Sequence, residues 1–369
     1  MTPPFAAHIA YVQLDPSRPA HPGLMGDEAE PQVEFERFTL RNGASNLVLN
    51  RPRDGAHPVA RLLHWAGRIG RSFNLLRDTA GAFDAYLATG EDIGIPLALA
   101  SLAFVRKTPI HITFHGHYIG GVRFALAMKV LRRFRHIHWH PLSTSLHGIM
   151  RHQLRIPKAR CHNTGYAVDT DFFTPVARAG SVIGSAGLAF RDYATLVSAA
   201  QDLDTPVKIA AASTWLRTNV DLGLGAVPSH IEIRSFGNYQ NLRELYAASR
   251  FVVVPLQDRC HACGYSVIAE AMAMGKAVIT TKTHAPSDFL VEGVTGYYVD
   301  PNDAAQLRNR IELLNGQPGL AAQLGDNARR LMGDYTLDRM CERLEQAISE
   351  SLAESASPTQ GPATQPAWS

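Results

Sequence analysis

Residues 251–299 read FVVVPLQDRCHACGYSVIAEAMAMGKAVITTKTHAPSDFLVEGVTGYYV. The opening FVVVP is an unbroken apolar run of strand length, the pattern of a strand buried on both faces. A polar loop follows, and a helical pattern opens at Gly264 or Tyr265. Helical spacing puts Val267, Ile268, Ala271 and Met274 on one side and Ser266, Glu270 and Ala273 on the other. Short strands at 277–281 and 296–299 complete the stretch. Strand, helix and strand in this order are the unit of a parallel sheet.

The same rhythm extends outward. Towards the C-terminal half, strands are expected at 181–185, 207–211 and 231–235. In the N-terminal half they are expected at 8–14, 84–89, 110–115 and 136–140, with helices at 59–78, 93–105, 123–135 and 145–154. Two such series predict an α/β protein with two doubly wound, Rossmann-like domains, residues 1–167 and 168–335, joined near 168–175. A helix at 336–351 is expected to return to the first domain. Residues 352–369 are rich in Ser, Pro, Thr, Gln and Ala without an apolar pattern, and read as a disordered tail.

The 369 residues, 46% hydrophobic and 19% charged, exclude general disorder. Four cysteines are too few for a disulfide framework and read as reduced thiols of a cytoplasmic protein. A formal net charge of +3 permits an anionic ligand or a membrane surface but is too weak to argue for bulk nucleic-acid binding. The N-terminus shows no signal-peptide pattern, and no apolar run reaches spanning length. A soluble or at most surface-bound chain is expected.

In open parallel sheets ligands bind beyond the carboxyl ends of the strands. Glu270 is the single formal charge between Arg259 and Lys276. It reads either as an acid meeting a ligand hydroxyl or as a surface acid paired with an arginine. The helix start at Gly264, Tyr265 and Ser266 offers free N–H groups and a positive dipole end to a phosphate. In the first domain, residues 110–117 (IHITFHGH) bring His115 to the carboxyl edge of a strand, with His117 on the same face if the extended conformation continues. Each reads as a sugar or acceptor contact or as a packed core histidine. His136, His138 and His140 alternate along one strand face, but spacing fixes no further ligand, and no metal is expected. Cys260 and Cys263 form a lone C-x-x-C without a second pair. Residues 123–135 (RFALAMKVLRRFR), from Arg123 to Arg135, carry five basic residues and no acid. They read as an amphipathic helix for an anionic membrane surface or as a crossover helix with a solvated basic face.

EAMAMGKAVITT, PSDFLVEGVTGYYVDPND behind it, LRELYAASRFVVVPL at 242–256 and VDTDFFTP at 168–175 together resemble the donor-binding domain of family-4 retaining glycosyltransferases. The resemblance covers most of 168–344. Before Cys161 only the alternation and TFHGH carry it. It implies the GT-B fold, two Rossmann-like domains facing across a cleft, and transfer of a sugar from a nucleotide-sugar, as co-substrate, to an acceptor hydroxyl with retention and without a metal or other cofactor. The family pattern is a pair of glutamates separated by seven residues. Glu270 matches the second, which holds the nucleotide ribose; the first position is Ala262, so sugar contact passes to His261 or to backbone N–H groups at Gly264 and Tyr265. The family places an arginine and a lysine after the domain's first strand against the diphosphate. Here AGLAFRDYATL offers only Arg191, with Lys282 a second candidate. The resemblance also sets His115 near the reacting centre. The expected partners are a nucleotide-sugar and an acceptor glycan, lipid or small molecule. A nucleotide-sugar epimerase on the same fold, or a binding protein that has lost transfer, are the alternatives, and Ala262 keeps the latter open.

Overall fold

The computed structural model describes residues 7–14, 30–49, 58–177, 180–211, 227–234, 238–258 and 263–356, with backbone only for 58–65. Elements are numbered along the chain. The first sheet holds β1 (Ile9–Leu14), β2 (Ser45–Leu49), β3 (Ala85–Ala88), β4 (Ile110–Phe114) and β5 (Ile137–Pro141) in the order β2-β1-β3-β4-β5, all parallel. Its helices are α1 (Glu34–Asn42), α2 (Pro58–Asp78), α3 (Glu91–Ser101), α4 (Val122–Leu131) and α5 (Thr144–Gly148), the last running into a π-helical turn, Ile149–Gln153. The second sheet holds β6 (Val182–Ala186), β7 (Val207–Ala210), β8 (Ile231–Arg234), β9 (Ser249–Val254), β10 (Val278–Thr281) and β11 (Gly296–Val299). Its order is β11-β10-β9-β6-β7-β8, again all parallel. With it go α6 (Tyr193–Ala200), α7 (Tyr239–Ala248), α8 (Tyr265–Ala273), α9 (Ala304–Gly316), α10 (Pro318–Met332) and α11 (Leu337–Ala356).

The strand order reverses between β1 and β3 in the first sheet and between β6 and β9 in the second. These two switch points are where crossover helices diverge to opposite faces and leave a crevice. β3, β4, β5 and β6 are buried throughout, which is why they read as apolar or neutral-histidine runs rather than as alternating strands. The carboxyl edges of the two sheets face one another. Thr144, just past β5, donates its N–H to Asp288, past β10, at 2.8 Å. Behind this contact Tyr166, Tyr265, Phe289 and Tyr335 pack edge to face, a geometry that favours aromatic pairs.

Helix α11 packs on the first domain. Met340, Cys341, Leu344 and Ile348 bury against Ile9, Tyr11, Phe38 and Leu87, and Arg41 donates to Glu345 at 2.7 Å. The sequence predicts disorder from Leu352; instead the helix runs to Ala356. Ser351 anchors this last turn by its bond with His111 Nε2 at 2.9 Å, and Leu352 packs on the same cluster. Residues 357–369 lie outside the described residues. Neither α1 nor β2 was legible as an element, because both follow a stretch broken by Pro16, Pro19 and Pro22 and β2 is mostly exposed.

The alternating histidines do not form one face of equals. Buried His138 and His140 join buried His111 and half-buried His162 in a stack: the rings of His111 and His138 lie 4.7 Å apart, those of His138 and His162 5.4 Å. His111 Nδ1 bonds His140 Nε2 at 2.8 Å and His138 Nδ1 bonds His162 Nε2 at 3.2 Å. His136 stands apart and bonds Ser101 at 2.9 Å. Burial, reinforced by the mutual repulsion of neighbouring imidazoles, holds His111 and His140 well below the usual histidine range and His138 at about 3. These rings are neutral hydrogen-bonded core.

Candidate functional site

Three segments meet at the β6/β9 switch point. The first is the turn after β6. Gly187 adopts φ +96°, a conformation open to glycine at little cost, and a Cβ there would collide with the Arg191 guanidinium. The chain returns at Arg191, whose Nε donates to Ala186 O and Nη1 to Ala189 O, both at 2.9 Å. The second segment, after β9, is zipped to the first: Asp192 N donates to Pro255 O at 3.1 Å and Gln257 N to Phe190 O at 2.9 Å. The third is α8. Its N-cap Gly264 has φ +76° and sits against the side chains of Leu256 and Val254, where a Cβ would crowd them. Among the described residues no side chain caps this helix, which leaves its first N–H groups to a ligand.

Glu270 lies one turn into α8 and is 8% exposed. Its Oε2 accepts from the Tyr246 hydroxyl, on α7, at 2.8 Å. Oε1 takes no hydrogen bond among the described residues. Burial pushes the carboxyl up to about 7, while the Tyr246 bond and the Arg191 charge pull the other way. It is therefore neither a surface acid nor part of an internal ion pair, but a half-satisfied carboxyl in the crevice wall.

The other sequence-predicted residues fall out as follows. Ser266 is exposed in the first turn of α8. Tyr265 is buried, and its hydroxyl donates to Pro286 O at 2.8 Å; only its N–H can serve a ligand. Lys282 is exposed and lines a depression at the β10–β11 edge with Glu292, Tyr298, Gln306 and Arg310. His261, Ala262 and Cys260 lie outside the described residues.

Across the interface, at the β1/β3 switch point, stands an acid that the sequence reading overlooked. Glu91 opens α3 behind its N-cap Gly90 and is 2% exposed. Its carboxylate accepts two backbone N–H groups of the loop after β4, His115 N at 2.9 Å and His117 N at 2.8 Å. His115 Nδ1 lies 3.5 Å from the same carboxylate. Burial alone would raise the Glu91 pKa; the side-chain bond to His115, its charge and its N–H hold it at about 2 instead. In turn, burial opposes a charge on His115, but the Glu91 carboxylate more than offsets it and raises the pKa. The extended conformation does not continue to His117: β4 ends at Phe114 and Gly116 has φ +84°. The two imidazoles nevertheless stack at 5.6 Å, 12° from parallel. The signal available in the sequence was two acids placed between a strand and an apolar helix, where a solvated acid has no reason to sit.

An anion-receptive helix end and a buried carboxyl thus stand at the switch point of the second sheet, and a carboxylate-backed histidine at that of the first. Over residues 226–331 the chain matches the family model described as Glycosyl transferases group 1. That segment contains β9, α8 and Glu270. A sucrose synthase from Acidithiobacillus caldus is 35% identical over 88 residues, 22% of this chain and 11% of the relative. The chain thus spans only a small part of that relative's length. Two solved structures align end to end. Sucrose-phosphate synthase from Thermosynechococcus elongatus covers 94% of this chain and 100% of its own at TM-score 0.68 and 16% identity. The Anabaena protein HepE, solved in complex with UDP-glucose, gives the same coverage at TM-score 0.64 and 16% identity. The fold is GT-B.

Proposed function

We propose that this protein is a retaining glycosyltransferase that moves a hexosyl-type sugar from a nucleotide-sugar to an acceptor hydroxyl. The observation that carries the reading is Glu270. It is a buried carboxyl with one oxygen unclaimed among the described residues, standing beside the start of α8 at the switch point of a domain that matches the group 1 family. In this reading Glu270 accepts the ribose hydroxyls. The N–H groups at Gly264, Tyr265 and Ser266 meet the diphosphate together with Arg191, whose Nη2 is left over from its two loop bonds. Fixed donors aimed where the leaving diphosphate gains charge lower the barrier. His115, facing them from the first domain, orients the sugar and the acceptor. The acceptor oxygen bonds the anomeric carbon from the leaving-group face as the bond to the diphosphate oxygen breaks, and that oxygen takes the acceptor's proton. No side-chain nucleophile or metal enters this scheme.

The titration of Glu270 supplies the test. A carboxyl with a pKa of about 7 must ionise to accept two ribose hydroxyls, so donor affinity is expected to rise with pH. Between pH 6 and pH 8 the gain is about tenfold, flattening above. In Glu270→Gln the affinity should fall about 10- to 100-fold and lose its pH dependence. Calorimetric titration with the donor at three pH values checks both, and an unchanged pH dependence in the variant removes Glu270 from the ribose site.

A further inference from the structure

We propose that the outer face of α4 docks the protein on an anionic lipid bilayer. In the sequence the helix is notable for its charges; the structure shows a second component. Phe124, Ala127, Met128 and Leu131 turn inwards and are buried. The apolar residues left outside are Val122 (76% exposed), Leu126 (58%) and Val130 (39%). At i, i+4 and i+8 they form one stripe along the helix. Lys129 and Arg133 flank it on one side and Arg123 on the other, all exposed. Val122, Leu126, Val130, Lys129 and Arg123 fall within an arc of about 120°, and Arg133 follows just past the helix end. Apolar residues inserted between cations match the boundary between acyl chains and anionic headgroups, where side chains such as Lys and Arg reach phosphate while the stripe enters the hydrocarbon edge. A nucleic-acid backbone offers nothing to the stripe.

The charge of the surroundings points the same way. From Ile93 to Val168 the chain contains no Asp or Glu, yet it carries eleven Lys and Arg residues. The buried Arg160 guanidinium donates to the carbonyls of Arg132 and Phe134. These bonds tie the 158–160 turn to the turn beyond α4, and Arg133, Arg135 and Lys158 are all exposed. Glu354 of α11 is the acid whose field reaches Arg160. Exposed Tyr118, in the loop between His115 and α4, extends the face towards the cleft. A docked bilayer would therefore lie on the side from which the His115 loop enters the site. The inference rests on this surface and not on the transfer reaction.

The test is co-sedimentation of the full chain with vesicles of phosphatidylcholine alone and with about 30% phosphatidylglycerol, at about 0.1 M salt. Binding is expected to the anionic vesicles and not to the neutral ones. Lys129→Glu/Arg133→Glu should reduce the bound fraction about tenfold, and Leu126→Ser several-fold, because charge and stripe act together. Both variants change exposed positions, and an unchanged circular dichroism spectrum and melting temperature confirm the fold. Absence of wild-type binding to anionic vesicles overturns the proposal. So does equal binding by the variants, or tighter binding to a duplex oligonucleotide than to the vesicles.

Discussion

Glu91→Gln is expected to lower the raised pKa of His115 and to slow sugar transfer by about 10², or about 3 kcal/mol of barrier. The carboxylate does two things at once. It accepts the N–H groups of His115 and His117, which fixes the turn after β4, and it faces His115 Nδ1 at 3.5 Å. Glutamine has nearly the same volume but offers one oxygen and one amide, so one backbone N–H loses its acceptor and the imidazole loses its counter-charge. An orphaned buried donor costs about 1–3 kcal/mol. The signs of the two shifts set the pH window. The raised His115 pKa contributes stability that is complete below the unfolded value near 6.5 and is lost as pH rises through the folded one. The lowered Glu91 pKa contributes stability that is complete above the ordinary glutamate value of 4.5 and is lost as pH falls towards about 2. The pair therefore stabilises most between those two reference values. An NMR titration of the His115 ring, read beside the pH profile of kcat, separates this role from a purely structural one. If the ring titrates identically in wild type and Glu91→Gln, the positioning account fails.

The second large effect is acid lability. His111, His138, His140, His162 and His136 are all held below the ordinary histidine range, foremost by burial, His138 at about 3 and His136 at about 4. Because the folded state refuses these protons and the unfolded chain accepts them near pH 6.5, the stability conferred by neutrality is complete above that pH. It is lost progressively as pH falls towards the folded values. Each such histidine steepens the loss by up to about 1.4 kcal/mol per pH unit. Several in one core should lower the melting temperature by more than about 10 °C between pH 7 and pH 5. The double variant His138→Phe/His162→Phe removes both partners of one hydrogen bond, so no buried polar atom is stranded, and keeps flat rings in the stack. Its melting temperature should depend visibly less on pH. A wild-type chain equally stable at pH 5 and pH 7 would show that the stack takes up protons without cost. Since His111 also holds Ser351 of α11, hydrogen exchange should show the last turns of α11 loosening early in this transition.

Most strands of both sheets were legible in the sequence because β3, β4, β5, β6 and β10 are buried throughout and announce themselves as apolar runs between helical patterns, whereas the mostly exposed β2 did not. The strand orders were not, since nothing local to β9 says that it lies beside β6 rather than β8. Glu270 was legible through its isolation on an otherwise uncharged helix; that it leans on Tyr246 was not, because the partner sits 24 residues away on another helix. Glu91 escaped notice for a related reason. Its partners are backbone N–H groups of the β4 loop, and backbone donors leave no mark in composition. The basic residues of 123–135 were legible, but that the helix ends at Leu131 and which apolar residues face outwards are decided by the packing of Phe124 and Leu131 under the helix. His117 was placed beside His115 on the strand rule, and its ring does lie there, although the positive φ of Gly116 achieves it.

The central claim is that the crevice between the two sheets holds a nucleotide-sugar. Calorimetric titration of the wild-type chain with a panel of uridine-, guanosine-, adenosine- and thymidine-diphosphate sugars tests it most directly. The account predicts saturable binding of at least one of them, competed by its nucleoside diphosphate and weakened in Glu270→Gln. A folded chain that binds none of the panel, or binds one equally well without the Glu270 carboxylate, would contradict it.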